Sequence, residues 1–223
     1  LEAASVCVPT VHHRAAAEEL IAAGVDVLVE KPLAPSLEDA DAILGLARER
    51  GRIVQVGHLE RFNPAVTAAR RFLNRPMFFE SHRLSVFTPR SLDVDVVLDL
   101  MIHDLDIVLS LVSSPVREVR AVGLPVLSPK VDIANVRVEF ENGCVANFTA
   151  SRVSTERVRK LRFFQPHQYL SLDFARQDLL MIDVTAAAGM DPAKLAAMAA
   201  MLQQSGEHPS AGLSLNKVQV PQG

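Results

Sequence analysis

Residues 25–32 read VDVLVEKP, a short apolar stretch that ends abruptly in Glu-Lys-Pro. Similar apolar stretches occupy residues 5–8 and 53–56, and helical patterns separate the three. Short apolar strands that alternate with helices are typical of parallel βαβ units, in which the helices cover the sheet. Residues 1–60 are therefore predicted to form part of a doubly wound, parallel α/β sheet.

The pattern changes after this first part of the chain. Longer strands are predicted from residue 77 onward, with one very apolar helix at residues 96–112 and a further helix and loop at residues 185–211. Residues 61–223 are thus predicted to form an α+β domain with a mostly antiparallel, open sheet. Because an open sheet face needs cover, we expect a homo-oligomer formed through this face.

Composition excludes several classes of protein. The chain has 223 residues, of which 49% are hydrophobic, so a globular fold is expected. A net charge of −3 gives no electrostatic reason to expect a nucleic-acid partner. No apolar run reaches the ~18 residues of a membrane-spanning helix. Two cysteines far apart in sequence favour a reducing, cytoplasmic compartment.

A polar stripe runs along one side of the apolar helix at residues 96–112. Asp99, His103 and Asp106 are spaced i, i+4 and i+7, which places them within about 60° of one another at ~100° per residue. A buried carboxylate beside a buried imidazole is costly unless the two pair. We therefore predict that Asp99 pairs with His103 as a proton-handling unit, with a purely structural core pair as the alternative.

Lys31 occupies a second position typical of a functional site. In open parallel sheets, ligands bind just past the carboxyl ends of the strands, and Lys31 directly follows such a strand. If Lys31 and His103 serve one site, their side chains should converge despite their separation in sequence. The alternative is an ordinary surface lysine.

Weaker candidates surround these two positions. Glu60 and Arg61 follow a strand end and His82 lies on a long strand, so all three are candidates for contacting a substrate, although a surface ion pair explains Glu60 and Arg61 equally well. Asp104 points away from the polar stripe, and no further ligand is spaced to complete a set. No metal site is predicted.

Four motifs follow one another in a recognisable order: VPTVHH at 8–13, EKP at 30–32, VGHLERFNP at 56–64 and DLMIHDLD at 99–106. In order and spacing they resemble the Gfo/Idh/MocA family of NAD(P)-dependent sugar oxidoreductases. The stretch GHLERFNP is most similar to members that oxidise the 3-hydroxyl of sugars of the UDP-N-acetylglucosamine type.

The resemblance implies an oxidoreductase that transfers a hydride between a sugar or nucleotide-sugar hydroxyl and NAD or NADP. It implies that His103 takes the hydroxyl proton, Asp99 orients the His103 ring, and Lys31 holds the substrate oxygen. It implies a cis Lys31–Pro32 bond as well. The cofactor contacts that it implies come from Pro9, Thr10, His13, Glu30 and Lys31. The substrate contacts expected are those of Glu60, Arg61 and His82.

The phosphate-binding fingerprint G-x-G-x-x-G does not occur in the sequence, since no two of the ten glycines are spaced as G-x-G. The Rossmann-type sheet is therefore expected to be incomplete, with a first βαβ unit of about 60 residues missing. Without that unit we expect weak NAD(P) binding. Two alternatives remain open: a non-catalytic binding or assembly module derived from such an enzyme, and a cyclitol or aldose dehydrogenase.

Overall fold

Two β-sheets organise the computed structural model, which describes residues 1–88, 94–183 and 214–220 together with positions 191, 193 and 197. The first sheet has three strands and lies in the first quarter of the chain. The second has eight strands and begins at Phe78. The predicted helix at residues 185–211 falls outside the described residues, apart from the three isolated positions.

The first sheet is parallel in the order β1-β2-β3, as the alternation of strands and helices predicts. Its elements are β1 (Ala3–Val6), α1 (His13–Ala22), β2 (Asp26–Val29), α2 (Leu37–Arg50) and β3 (Val54–Val56). Ile21 of α1 and Ile43 of α2 are completely buried against it. Because the strands are parallel, their carboxyl ends meet at one edge, where Lys31 follows β2.

The second sheet has the order β11-β10-β9-β8-β4-β7-β6-β5. All neighbouring strands are antiparallel except β4 and β7, which confirms a mostly antiparallel sheet. The strands are β4 (Phe78–Leu84), β5 (Val116–Leu124), β6 (Ile133–Phe140), β7 (Val145–Ser151), β8 (Val158–Gln165), β9 (Gln168–Asp173), β10 (Asp178–Asp183) and β11 (Ser214–Val218). The helices are α3 (Pro64–Ala69), a π-helical turn (Val97–Met101) and α4 (Ile102–Leu111).

One face of the second sheet forms the larger core. Phe79, Phe148 and Phe163 are almost completely buried there, in one cluster with apolar residues of α3 and α4. The opposite face is open, with the side chains of Leu124 and Phe164 exposed. In the described part of the chain, no helix has both the length and the apolar character needed to span a bilayer.

Asp132 fixes the loop between β5 and β6, which contacts the residue directly before the π-helical turn. Its buried carboxylate accepts hydrogen bonds from the backbone N–H groups of Val126, Leu127 and Ser128 and from the Ser128 hydroxyl. The Ser128 hydroxyl and these backbone donors hold the pKa of Asp132 well below its usual range. Within the same loop, the carbonyl of Val131 accepts from the backbone N–H of Val96, directly before the turn.

We expect Asp132→Asn to lower the melting temperature at neutral pH, because the amide cannot accept this set of donors equally well. Because the carboxyl pKa is lowered in the folded state, the ionised carboxylate stabilises the fold at pH values above its ordinary pKa of about 4. That contribution is lost as the pH falls through the lowered pKa. The gap between variant and wild type should therefore narrow below about pH 4. Thermal melts from neutral to acid pH measure it, with exposed Asp41→Asn as the control; a gap independent of pH would contradict this role.

Candidate active site

The Lys31 side chain reaches from the first sheet to the π-helical turn of the second. Its Nζ lies 2.6 Å from the carbonyl oxygen of Asp99 and 3.3 Å from Asp99 Oδ1. Both side chains are about one-fifth exposed, so the contact is partly shielded from solvent. The predicted convergence of Lys31 with this helix is confirmed, and the Lys31–Pro32 bond is cis as expected. An ammonium group has three donors, so one remains for a ligand.

His103 is half-buried in the first turn of α4, close to several cations. Burial lowers the pKa of His103 to about 3, and the positive charges of Arg83 and Lys31 act in the same direction. The imidazole is therefore neutral at ordinary pH and able to accept a proton. Among the described residues its enclosed Nδ1 has no hydrogen-bond partner, which leaves Nε2 as the nitrogen that can meet a hydroxyl group.

The predicted pairing of Asp99 with His103 does not form. The Asp99 carboxylate contacts Lys31 instead, while no group in the described part of the chain bonds to the enclosed nitrogen of His103. The reason is local geometry, because Asp99 lies in the π-helical turn Val97–Met101 and His103 lies in the α-helix that follows. A π-helical turn bonds residue i to i+5 and is wider than an α-helical turn. The i, i+4 relation that an α-helix would create is therefore lost.

A buried ion pair lies beneath the site. Both ends of the Asp104 carboxylate accept from Arg83, at 2.9 Å from Nε and 2.8 Å from Nη2. The two side chains are 2–3% exposed. Glu60 lies 3.4 Å from the same guanidinium, and the ring of Phe174 lies 5.2 Å below it. Burial alone would lower the pKa of Arg83, but Asp104 and Glu60 outweigh it and raise that pKa.

Two predicted substrate contacts are placed differently by the structure. Arg61 donates to both oxygens of Asp106, so these two residues form an ion pair at the edge of the site. His82 requires a correction, because it lies on the open face of the second sheet and Arg83 faces the site. Successive strand residues point to opposite faces, and the alternating burial along β4 shows which face each one takes.

The expected cofactor residues lie together at the carboxyl ends of β1 and β2. Pro9 and Thr10 follow β1, and the buried ring of His13 lies 2.9 Å from both the Val8 and Pro32 carbonyl oxygens. His13 therefore ties the two loops together. Next to them the Glu30 carboxylate packs against Gly57, the residue that follows β3. A Cβ at Gly57 would lie 3.2 Å from Glu30 Oε1. This glycine allows close packing of the two strand ends.

The arrangement brings a lysine ammonium and a neutral imidazole to one cleft between the two sheets. Such a pair can hold a hydroxyl oxygen and remove its proton. Sequence reasoning set Asp104 aside and did not single out Arg159 or His58. The Nδ1 of His58 is also enclosed, with no partner among the described residues. Arg159 can be recognised as a site residue only from the strand register, which places it directly opposite Arg83.

Comparison with known protein families divides the chain in two. The model described as an oxidoreductase family with an NAD-binding Rossmann fold matches residues 1–58. The model of the GFO/IDH/MocA C-terminal domain matches residues 65–165. Lys31 and the expected cofactor residues fall within the first matched range, and Arg83, Asp99, His103 and Arg159 fall within the second.

Curated relatives include sugar and cyclitol dehydrogenases. UDP-N-acetylglucosamine 3-dehydrogenase of Acidithiobacillus ferrooxidans is 43% identical over 180 residues, covering 80% of this chain and 58% of the relative. An NAD(+)-dependent scyllo-inositol 2-dehydrogenase of Bacillus subtilis is 28% identical over 169 residues, covering 69% of this chain and 49% of the relative. The chain thus spans roughly half of the length of these relatives.

Solved structures agree with the fold. The structure of the Acidithiobacillus ferrooxidans UDP-N-acetylglucosamine 3-dehydrogenase has a TM-score of 0.81 at 35% identity, covering 100% of this chain and 65% of that one. An inositol dehydrogenase homologue from Azotobacter vinelandii, complexed with NADH and myo-inositol, has a TM-score of 0.76 at 20% identity and covers 86% of this chain and 55% of that one. At that identity the second match shows the fold alone.

Proposed function

Because the chain belongs to the Gfo/Idh/MocA oxidoreductase family, we propose that it carries the catalytic site of an NAD-dependent dehydrogenase that oxidises a hydroxyl group of a nucleotide sugar. The observation that carries the proposal is the meeting of Lys31 and the helix of His103 across the cleft between the two sheets. The identity to UDP-N-acetylglucosamine 3-dehydrogenase supports a substrate of that type. In this proposal residues 1–60 belong to the dinucleotide-binding domain and residues 61–223 to the substrate-binding domain.

The residues at the strand ends fit the nicotinamide end of a dinucleotide. Pro9 and Thr10 follow β1, Glu30 and Lys31 follow β2, and His13 fixes the distance between the two loops. This is the sheet edge at which ligands of open α/β sheets bind. A dinucleotide held by these residues would supply the hydride acceptor for the oxidation of the sugar.

Each of the three central side chains has a distinct task in this proposal. His103 accepts the hydroxyl proton, for which its neutral state prepares it. Lys31 donates to the same oxygen and stabilises the negative charge that develops there. Asp99 holds the Lys31 ammonium in place through its carbonyl and carboxylate oxygens. Asp99 is thus a positioning residue for Lys31 and makes no hydrogen bond to the His103 ring.

Two further proposals concern the surroundings of the protein. We infer a homo-oligomer through the open face of the second sheet, because the side chains of Val122, Leu124 and Phe164 are exposed there. We also infer a cytoplasmic location, because Cys7 and Cys144 are both free thiols.

The function is tested by assaying the full-length protein with NAD and a panel of hydroxyl substrates. We expect NADH formation with UDP-N-acetylglucosamine and at least tenfold lower kcat/KM with myo-inositol and free glucose. Equal or greater kcat/KM with myo-inositol would identify a cyclitol dehydrogenase instead. A folded protein that binds NAD but oxidises none of these compounds would support a non-catalytic module.

We expect Lys31→Met to lower the turnover number by about 10²–10³, because it removes a donor aimed at developing negative charge. Steady-state rates at saturating substrate and cofactor measure the effect. The matched control is Lys160→Met on the open face of the second sheet, where the turnover number should not change. Wild-type turnover in Lys31→Met would remove Lys31 from the proposed reaction.

A further inference from the structure

Two arginines lie side by side on the site-facing surface of the second sheet. Arg83 of β4 and Arg159 of β8 are direct cross-strand partners in the antiparallel register. Like charges at directly opposed positions repel each other, so each cation needs a counter-charge. Arg83 and Arg159 differ in the counter-charges that surround them.

The positive charge of Arg83 is compensated by its neighbours. Asp104 accepts two hydrogen bonds from it, Glu60 lies 3.4 Å away, and the ring of Phe174 lies beneath the guanidinium. Arg159 is half-buried in the same region, yet within residues 1–88, 94–183 and 214–220 its side chain has neither a hydrogen bond nor an ion pair. One guanidinium in the cleft therefore keeps its planar set of donors unused.

The surroundings of Arg159 disfavour its positively charged form. Burial lowers the pKa of Arg159 and repulsion from Arg83 lowers it further, while Glu60 and Asp104 compensate only in part. A half-buried cation in this condition is stabilised by an additional anion. The carboxylates of the described residues nearby are already engaged with Arg83, so a bound ligand is the natural source.

Arg159 also lies within electrostatic reach of the proposed base. Its charge is one of those that lower the pKa of His103. An anion bound to Arg159 would cancel part of that charge and make His103 a stronger base only when the correct ligand is in place. Anion binding and proton transfer would thus be coupled through a single side chain.

We propose that Arg159 is a specificity-determining residue that binds a phosphoryl group of the nucleotide-sugar substrate, an inference that rests on the proposed function. A guanidinium matches a phosphoryl group in geometry, since two parallel N–H donors meet two oxygens. A neutral cyclitol or free sugar offers no such group and leaves Arg159 without a counter-charge. Arg159 therefore distinguishes nucleotide sugars from the neutral polyols that related enzymes oxidise.

The test is binding of UDP alone to the full-length protein, measured by isothermal titration calorimetry, which needs no catalysis. We expect Arg159→Gln to weaken UDP binding by about tenfold to a hundredfold, the effect of a lost charge-assisted hydrogen bond. Arg159→Lys should recover part of the loss, because it keeps the charge without the planar fork of donors. The control is Arg162→Gln, which removes the same charge from the opposite face of β8, where Arg162 pairs with Glu80; its UDP affinity should equal that of wild type.

Equal UDP affinity in Arg159→Gln and wild type, with native circular dichroism in both, would overturn the inference, as would a wild-type protein that does not bind UDP. Weaker UDP binding by Arg159→Gln but not by Arg162→Gln would support it. Failure of the proposed function would give a different result: UDP would still bind through Arg159, but no sugar would reduce NAD.

Discussion

Replacing His103 by alanine is expected to lower the turnover number by about 10²–10⁴, the range for loss of a general base. The reason is that the imidazole of His103, held in its neutral form within electrostatic reach of Lys31, is the proposed acceptor of the hydroxyl proton. Steady-state kinetics with UDP-N-acetylglucosamine and NAD measure the loss. Because the pKa of His103 is lowered to about 3, the free protein holds it in the accepting form, and kcat/KM should show no inflection near the ordinary histidine pKa of about 6.5.

The matched control is His82→Ala on the opposite face of the same sheet, for which wild-type turnover is expected. Circular dichroism of both variants should match that of the native protein, because His103 makes no hydrogen bond that holds the described fold together. Near wild-type turnover of His103→Ala between about pH 6 and 9 would instead assign His103 a structural role.

Asp104→Ala is expected to lower the free energy of unfolding by about 3–5 kcal/mol. Removing the carboxylate leaves the Arg83 guanidinium buried with only the more distant contact to Glu60. An uncompensated buried charge of this kind is strongly destabilising, whereas exposed ion pairs contribute little. Urea denaturation followed by circular dichroism measures the change.

The control for this effect removes both partners at once. The double variant Arg83→Met/Asp104→Leu should regain most of the lost stability, because no unpaired charge remains in the core. A second control, Arg120→Ala, breaks an exposed pair with Glu118 and should leave the denaturation midpoint unchanged. If Asp104→Ala and the double variant were equally unstable, packing rather than charge would explain the loss.

The strand and helix periodicity of the first sixty residues predicted both the parallel sheet and the location of Lys31. Short apolar strands have one stable arrangement with intervening helices, and parallel strands bring their carboxyl ends together at one edge. The long helix with His103 was also visible as an apolar stretch. The convergence of Lys31 with that helix is predicted only on the premise that Lys31 and His103 serve one site.

Contacts that depend on exact backbone geometry could not be predicted from the sequence. The π-helical turn at Val97–Met101 moved Asp99 away from His103, and nothing in the apolar pattern distinguishes that turn from an α-helix. The register of β4 placed Arg83 toward the site and His82 away from it, which a shift of one residue would have reversed. The missing partner of Arg159 is likewise a property of the tertiary structure.

We propose that this chain supports hydride transfer from a sugar carbon beside Lys31 and His103. The most direct measurement incubates the full-length protein with NAD and UDP-N-acetylglucosamine that carries deuterium at C3, and follows the label by mass spectrometry. We expect one deuterium at C4 of the nicotinamide ring for each keto sugar formed, and loss of this transfer in His103→Ala. Keto sugar formed without label on the nicotinamide, or undiminished transfer in His103→Ala, would contradict it.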